Sequence, residues 1–347
     1  MFSARNFLTL RFSTLRFPTL RFSALKFVGA VLAQAGFVAF AVGSLCFLLT
    51  RALPGDMSFR IAAGRYGYDR VDAQSAQAVS DELGLGRPVW QQWLQWLGDL
   101  AQFRLGESMV SGDAVMDELS HQLGATLQLS AAAWMLGLLL GLGLGVFAAL
   151  KGGWAAKGVD GLCTLLRASP PFLLGIVLML ILAVQLQWLP VAGHGETRYI
   201  VLPALTLALA LCAGVAQVVK ARLLEVLASE SFEYAQTKGL QRWPALLRHA
   251  APALALPTLA YAGVQLVLLV EGVVVVESLF AWPGIGHALL HAVVARDVPM
   301  VQGTALVMGL LFVGLHALVD ASVKVLDPRQ DDAQQRQSTK LTQRAGL

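Results

Sequence analysis

Charge is scarce in this chain. Only 14% of its 347 residues are Asp, Glu, Lys or Arg, whereas 56% are hydrophobic, and the mean hydropathy is +0.63. An average soluble domain has about a quarter of its residues charged, so this balance excludes one and places the chain in a bilayer. Cysteine is also rare. Cys46, Cys163 and Cys212 stand in apolar runs without metal-like spacing, which argues for small core residues over a metal or redox centre. No G-x-x-x-x-G-K-[ST] run occurs, so the chain lacks a phosphate loop of its own. No basic patch with interleaved aromatics occurs outside the N-terminal segment, so the net charge of +4 is not a nucleic-acid footprint.

What remains is hydrophobic length. Six stretches lack any Asp, Glu, Lys or Arg: 28–50, 125–150, 168–195, 199–219, 249–270 and 298–319. Each reaches the roughly 20 residues a helix needs to cross about 30 Å of hydrocarbon. The expected fold is an all-α membrane protein with six transmembrane helices, the first over 28–50 and the fifth starting near Pro257 and running past Glu271. Orientation follows from Lys and Arg in the short flanking segments. Arg5, Arg11, Arg16, Arg21, Lys26, Lys151, Lys157, Lys220, Arg222, Lys238, Arg242, Arg248, Lys324 and Arg329 fall on one side, whereas the opposite short loops carry Arg198 and Arg296. Both termini are therefore expected to be cytoplasmic.

The basic segment 1–27 precedes an apolar run that is too long for a signal peptide and ends in Thr50-Arg51-Ala52-Leu53-Pro54, not in a small-x-small site. It reads as a retained anchor. The pentapeptide repeat Arg11–Leu15, Arg16–Leu20, Arg21–Leu25 has a period matching neither helix nor strand, and reads as a basic tail attracted to anionic lipid. The topology places the hydrophilic segment 51–124 outside. Within it Trp90, Trp93 and Trp96 form a stripe at i, i+3, i+6; the stripe suits either indoles at headgroup level or an aromatic face packed on the transmembrane core. Gly137, Gly141, Gly143 and Gly145 offer small faces for helix packing, and Pro170 and Pro171 would kink the third helix. Trp188–Gly193 and Ala281–Gly286 read as outer turns with Trp at the interface.

The most informative stretch is SFEYAQTKGLQRWPALLRHAAPALALP, Ser231 to Pro257. Its small residues favour helix, Ser231 can cap a first turn carrying Glu233, Gly239 can end that helix in a left-handed cap, and Pro244 suits the opening of another helix. A polar helix, turn and helix between two membrane spans is not there to span, so its expected use is docking, within a segment taken as 229–257.

The spacing Glu233, Tyr234, Ala235, then Gly239, then Pro252 resembles the EAA loop of ABC-importer permeases. Further matches are Leu53-Pro54-Gly55-Asp56, Leu83-Gly84-Leu85 through Trp96-Leu97, Leu105-Gly106-Glu107-Ser108, Ala125-Thr126-Leu127, Glu277-Ser278-Leu279-Phe280-Ala281-Trp282-Pro283-Gly284 and Leu326-Asp327-Pro328-Arg329. In this order the chain resembles the first permease type of the dipeptide/oligopeptide/nickel group of binding-protein-dependent ABC importers, over about 27–329. The resemblance implies a type I importer permease fold, a core over 125–329, a cytoplasmic tail over 330–347 and a place in the bacterial inner membrane. It also implies a second related permease, two ATPase subunits that use ATP and Mg and dock on Glu233, Tyr234, Ala235, Gly239 and Pro252, and a periplasmic solute-binding protein. The chain itself would bind no cofactor and catalyse nothing. Three positions depart from the pattern: Tyr234 within Glu-Tyr-Ala, Met57 after Pro-Gly-Asp, and Glu271 where glycine is common. Glu271 and Glu277 are the candidate pathway residues.

Two rival functions fit parts of the sequence. A membrane enzyme would draw on His121, His194, His249, His287, His291 and His316, of which only His287 and His291 share a helical face with ligand-like spacing, with no third ligand evident. A secondary transporter would need ionisable groups near the midplane and discontinuous helices, and would not need a docking loop.

Overall fold

A computed structural model describes residues 20–52, 56–67, 71–82, 86–295 and 297–326. Most of the pentapeptide repeat, Leu53-Pro54-Gly55, Leu83-Gly84-Leu85, Arg296 and 327–347 lie outside them, as do the side chains of Met57, Arg242, His249 and Glu271. Among the described residues every named element is helical, and five helices contain stretches apolar and long enough to cross a membrane: Leu25–Leu49, Val115–Lys151, Thr197–Leu227, Ala251–Val270 and Val298–Ser322.

Helix α1 (Leu20–Ala52) leads into a small lobe. Asp56, the last residue of the Pro-Gly-Asp run, caps α2 (Met57–Tyr66) by accepting from the Ser58 amide at 2.9 Å, the ordinary work of an N-cap carboxylate. Before α3 (Ala73–Glu82), Asp72 and Ser75 bond reciprocally, at 2.7 and 3.0 Å. Helices α2 and α3 meet at Ala62 and Val79, both fully buried.

Helix α4 (Val89–Ala101) carries the tryptophan stripe, and most of that stripe packs inward. Trp93 donates its indole N–H to Ser44 Oγ at 3.2 Å and meets Phe40 edge-on at 5.8 Å. Trp96 lies over Gly43 so closely that a Cβ there would come within 2.5 Å of the ring. Trp90 is 61% exposed. The reason is helical drift: at 3.6 residues per turn, three-residue steps rotate about 60° each, so one member of three leaves the contact face.

The centre is α5 (Val115–Lys151) packed on α8 (Thr197–Leu227). On α5, Ala133, Gly137, Gly141, Gly145 and Ala149 recur every four residues and are all buried. Leu211, Val215 and Val219 on α8 press into that stripe, and a Cβ at Gly141 would lie 2.6 Å from Val215 Cβ and 2.9 Å from the Cys212 carbonyl oxygen. Gly143, expected to share this role, has open space around it. Small residues let helix backbones approach where lipid supplies no hydrophobic drive. Helix α5 begins at Val115, ten residues earlier than the expected span, and its 37 residues rise about 55 Å, well beyond the hydrocarbon thickness of about 30 Å.

The third span differs from expectation. Helix α6 (Gly153–Ala168) and the arm formed by α7 (Pro171–Leu178) and the π-helical Met179–Gln185 are bent by 108°. A residue before proline is pushed out of the α region. Ser169 (φ −89°, ψ 127°) and Pro170 (φ −59°, ψ 143°) are both extended, so two successive prolines break the helix instead of kinking it. The arm from Pro171 to Gln185, at about 1.5 Å per residue, cannot cross about 30 Å alone; counted with α6 as one broken span it brings the total to six. Val159, Cys163 and Leu166 of α6 pack on Cys212, Ala213 and Ala216 of α8, where Lys220 also pairs with Asp160 at 2.6 Å. Cys163 and Cys212 are buried core residues, as expected.

Helix α9 (Glu230–Thr237) is followed by one continuous helical path: α10 (Arg242–Ala245), the π-helical Leu246–Ala250 and α11 (Ala251–Leu279). The fifth span therefore has no boundary at Pro257, which sits inside α11. Helices α12 (Ile285–Ala295) and α13 (Val298–Leu326) close the bundle, with α13 lying along α1 and α11.

Candidate functional site

The segment 229–257, expected to dock, assembles from short-range rules. Helix α9 is capped by Ser229, not by Ser231: the Ser229 hydroxyl oxygen accepts from the Phe232 amide at 3.4 Å, while Ser231 meets Ser229 side chain to side chain at 3.1 Å. Starting the helix at Glu230 turns Phe232 and Ala235, three residues apart, onto one face. Both are buried, at 4% and 8% exposure, and Phe232 joins the central core with Leu223, Ala245 and Leu246. Burying the phenyl ring contributes about 1.5–3 kcal/mol, which anchors the short helix. Its C-terminus is a Schellman turn: the Gly239 amide donates to Gln236 O at 2.9 Å and the Leu240 amide to Ala235 O at 3.2 Å, with Gly239 at φ +84°. Nothing crowds Gly239, so its backbone angle alone favours glycine.

With that face anchored, the opposite face of α9 is left open. Glu233, Tyr234 and Gly239 are exposed, as is Pro252 at the start of α11, whereas Ala235 is turned into the core. Lys238 Nζ stands 4.7 Å from the centre of the Tyr234 ring, so the tyrosine that departs from Glu-Ala-Ala lies on the exposed surface. Sequence reasoning missed the apolar part of this surface. Trp243 and Leu247, 67% and 71% exposed, border a cavity of about 440 Å³ between α5 and the α10–α11 path, lined by Leu138, Leu142 and Leu150 among others. The available signal was their place on the outward face of a helix that begins within the polar insert.

At the other end of α11 a second group of expected residues converges. Glu277 is fully buried: Thr126 Oγ1 donates to its Oε1 at 2.6 Å and the Gly286 amide to its Oε2 at 2.8 Å. The Thr126 hydroxyl oxygen in turn accepts from the Ile285 amide at 2.8 Å. Trp282, expected at an interface, is buried and donates its indole N–H to Ala125 O at 3.0 Å. The Ala-Thr-Leu and Glu-Ser-Leu-Phe-Ala-Trp-Pro-Gly motifs are thus two halves of one latch. Glu277, a candidate pathway residue from sequence, is buried within that latch. The two turns expected on the outer side touch as well, the Gly193 amide donating to Phe280 O at 3.1 Å, and Trp188 is 73% exposed. Glu271 lies on α11, and its side chain falls outside the description.

His287 and His291 pack ring against ring, with centroids 4.4 Å apart. Among the described residues no group of three or more His, Cys, Asp or Glu is placed to hold a metal ion.

Comparison with known proteins accounts for this arrangement. The family model described as "binding-protein-dependent transport system inner membrane component" matches residues 141–332, which include the whole docking segment. A Brucella abortus (strain 2308) protein that bears the name of a peptide transport system permease is 35% identical over 307 residues, covering 86% of this chain and 96% of the relative. The glutathione transport system permease protein GsiC of Escherichia coli (strain K12) is 32% identical over 293 residues, 83% of this chain and 93% of that protein. Among solved structures, the inward-facing MetNI methionine ABC transporter superposes with a TM-score of 0.51 at 19% identity, over 61% of this chain and 97% of that chain, a likeness of fold. The identities and coverage leave one conclusion: the chain belongs to the family of inner-membrane components of binding-protein-dependent transport systems and is a multi-pass permease subunit.

Proposed function

We propose that this permease imports di- or oligopeptides across the bacterial inner membrane, both termini cytoplasmic, together with a second related permease, two ATPase subunits and a periplasmic solute-binding protein. In this reading ATP and Mg are used by the ATPases, which seat on the segment 229–257, and this chain contributes the path and the coupling element. The observation that carries the reading is the two-sidedness of α9: Phe232 fastens it to the core, with Ala235 buried on the same face, while Glu233 and Tyr234 are exposed on the opposite face. A rigidly mounted, outward-facing helix can transmit a push, which a loosely tethered loop cannot. Ala235 acts in the mounting and Gly239 and Pro252 shape the turn and the re-entry of the chain. Peptide as the cargo class is supported by the names of the relatives, one a peptide and one a glutathione permease.

The test is Glu233→Lys and Gly239→Val in the assembled importer. Both are expected to abolish peptide uptake and to weaken ATPase co-purification while the permease still inserts. Uptake at the parent rate in both variants would remove the docking role.

A further inference from the structure

The end of the bundle away from the docking segment holds a cavity that the coupling role does not use. It encloses about 260 Å³ among Ser108–Ser111, the first turns of α5, helix α12 and the Asp297–Met300 entry to α13. Two of its lining side chains, Gln122 and His287, each bury a polar atom, Oε1 and Nδ1, that has no partner among the described residues. A buried polar group left unpaired costs about 1–3 kcal/mol, so two in one cavity point to a ligand that supplies what they lack.

The chemistry of that ligand follows from the donors and acceptors present. Gln122 Nε2 donates to Glu118 Oε1 at 3.3 Å, which fixes the amide and leaves its Oε1 as an acceptor. Among the described residues Glu118 receives one further contact, from Ser111 Oγ at 3.5 Å, so its carboxylate has lone pairs to spare. Asp297 is already engaged, by Ser108 Oγ at 2.5 Å and by the Met300 amide at 3.3 Å. Two carboxylates line the cavity and no described Lys or Arg does, so it favours a cation. The lack of a third metal ligand favours a cation that brings its own N–H donors. An ammonium group carries three donors and one positive charge, matching Glu118, Gln122 Oε1 and a neutral His287 Nδ1.

We propose that this cavity binds the primary ammonium group of a small solute, held by Glu118, Gln122 and His287. Burial, with the neighbouring His291 ring adding to it, holds the His287 imidazole below its ordinary pKa, so the ring is neutral and can accept at neutral pH. The charged or titratable groups around it are Glu118 from α5, Asp297 at the entry to α13, His291 on its own helix, and Glu277, whose carboxylate bonds the Gly286 amide beside it. The site does not depend on the peptide reading, because it is defined by binding to this chain without transport.

The experiment titrates the full-length chain in lipid nanodiscs with glycinamide, N-acetylglycinamide and n-butylamine, followed by saturation-transfer NMR at pH 7.5 and 5.5. Glycinamide should bind saturably at pH 7.5 and more weakly as the pH falls and His287 takes up a proton, and N-acetylglycinamide, which lacks the ammonium, should not bind. Glu118→Gln should weaken glycinamide at least tenfold, and Gln122→Leu, which removes the amide acceptor, should weaken it several-fold while the chain still gives a cooperative thermal melt. Equal binding of the acetylated compound, parent-like affinity in both variants, or no glycinamide binding would overturn the site. Equal or tighter binding of n-butylamine would support the ammonium site and show that it needs no carbonyl beside the ammonium.

Discussion

Thr126 on α5 and Glu277 on α11 are 151 positions apart in sequence and joined by a 2.6 Å hydrogen bond with both side chains fully buried. Through that contact the turn between α11 and α12 is fastened to α5, because the same hydroxyl receives Ile285 N and the same carboxylate receives Gly286 N. A Cβ at Gly284 would run into the Glu277 carboxylate, so the turn also needs glycine beside it. Thr126→Val keeps the shape and removes the hydroxyl, orphaning one carboxylate oxygen and one backbone amide. At about 1–3 kcal/mol per orphaned group, the purified chain should lose several degrees of thermal stability in detergent, while Thr126→Ser should stay close to the parent.

The glycine stripe makes a sharper distinction. Gly141 and Gly143 lie two residues apart on α5, yet only Gly141 meets α8 at sub-contact distance. Gly141→Val must separate the two central helices and is expected to abolish accumulation of folded permease, whereas Gly143→Val, facing open space, should accumulate normally. Size-exclusion profiles after matched expression measure both.

How much of this could be read without a structure depended on how local its cause was. The helix, turn and helix of the docking segment, and the left-handed Gly239, follow from residues within a few positions, and all appear. Ser231 and Ser229 were equally good caps locally; the choice fell to Ser229 because that register buries Phe232 and Ala235 together. The tryptophan stripe left two readings open, and Ser44 and Gly43 on α1, about fifty residues earlier, decide for packing. Trp282 read as an interface residue and Glu277 as a candidate pathway residue, because an indole or a carboxylate near a helix end is usually wet. Their partners, Thr126 and the Ala125 carbonyl, carry no local sign of the pairing. The double proline announced a bend, but only the two successive extended residues show it to be a break.

Topology is tested by reporter fusions. If Lys and Arg set the orientation, fusions after Gly112 and Gly284 report the periplasm and fusions after Gly153, Gly239 and Lys340 report the cytoplasm. Gly112 precedes α5 and Gly153 follows it, so these two must report opposite sides if α5 spans. A cytoplasmic signal at Gly112 would overturn the arrangement proposed for the whole bundle.

Glu271 is the remaining departure from the family pattern, and its place on α11 gives it a testable role. A carboxylate at the centre of a membrane helix costs about 2.5–3.5 kcal/mol on insertion scales, so retaining one requires a protein partner or water. Since Glu277, six residues on, is enclosed by Thr126 and the α12 amides, Glu271 is the candidate left on this helix to present charge to a solute. Glu271→Gln preserves size and removes the charge. At matched expression it should reduce uptake of a lysine-containing dipeptide several-fold more than uptake of dialanine, because only the former loses an electrostatic partner. An equal loss for both would move the residue from the pathway to assembly with the partner permease, and parent-like uptake of both would deny the charge any part in transport.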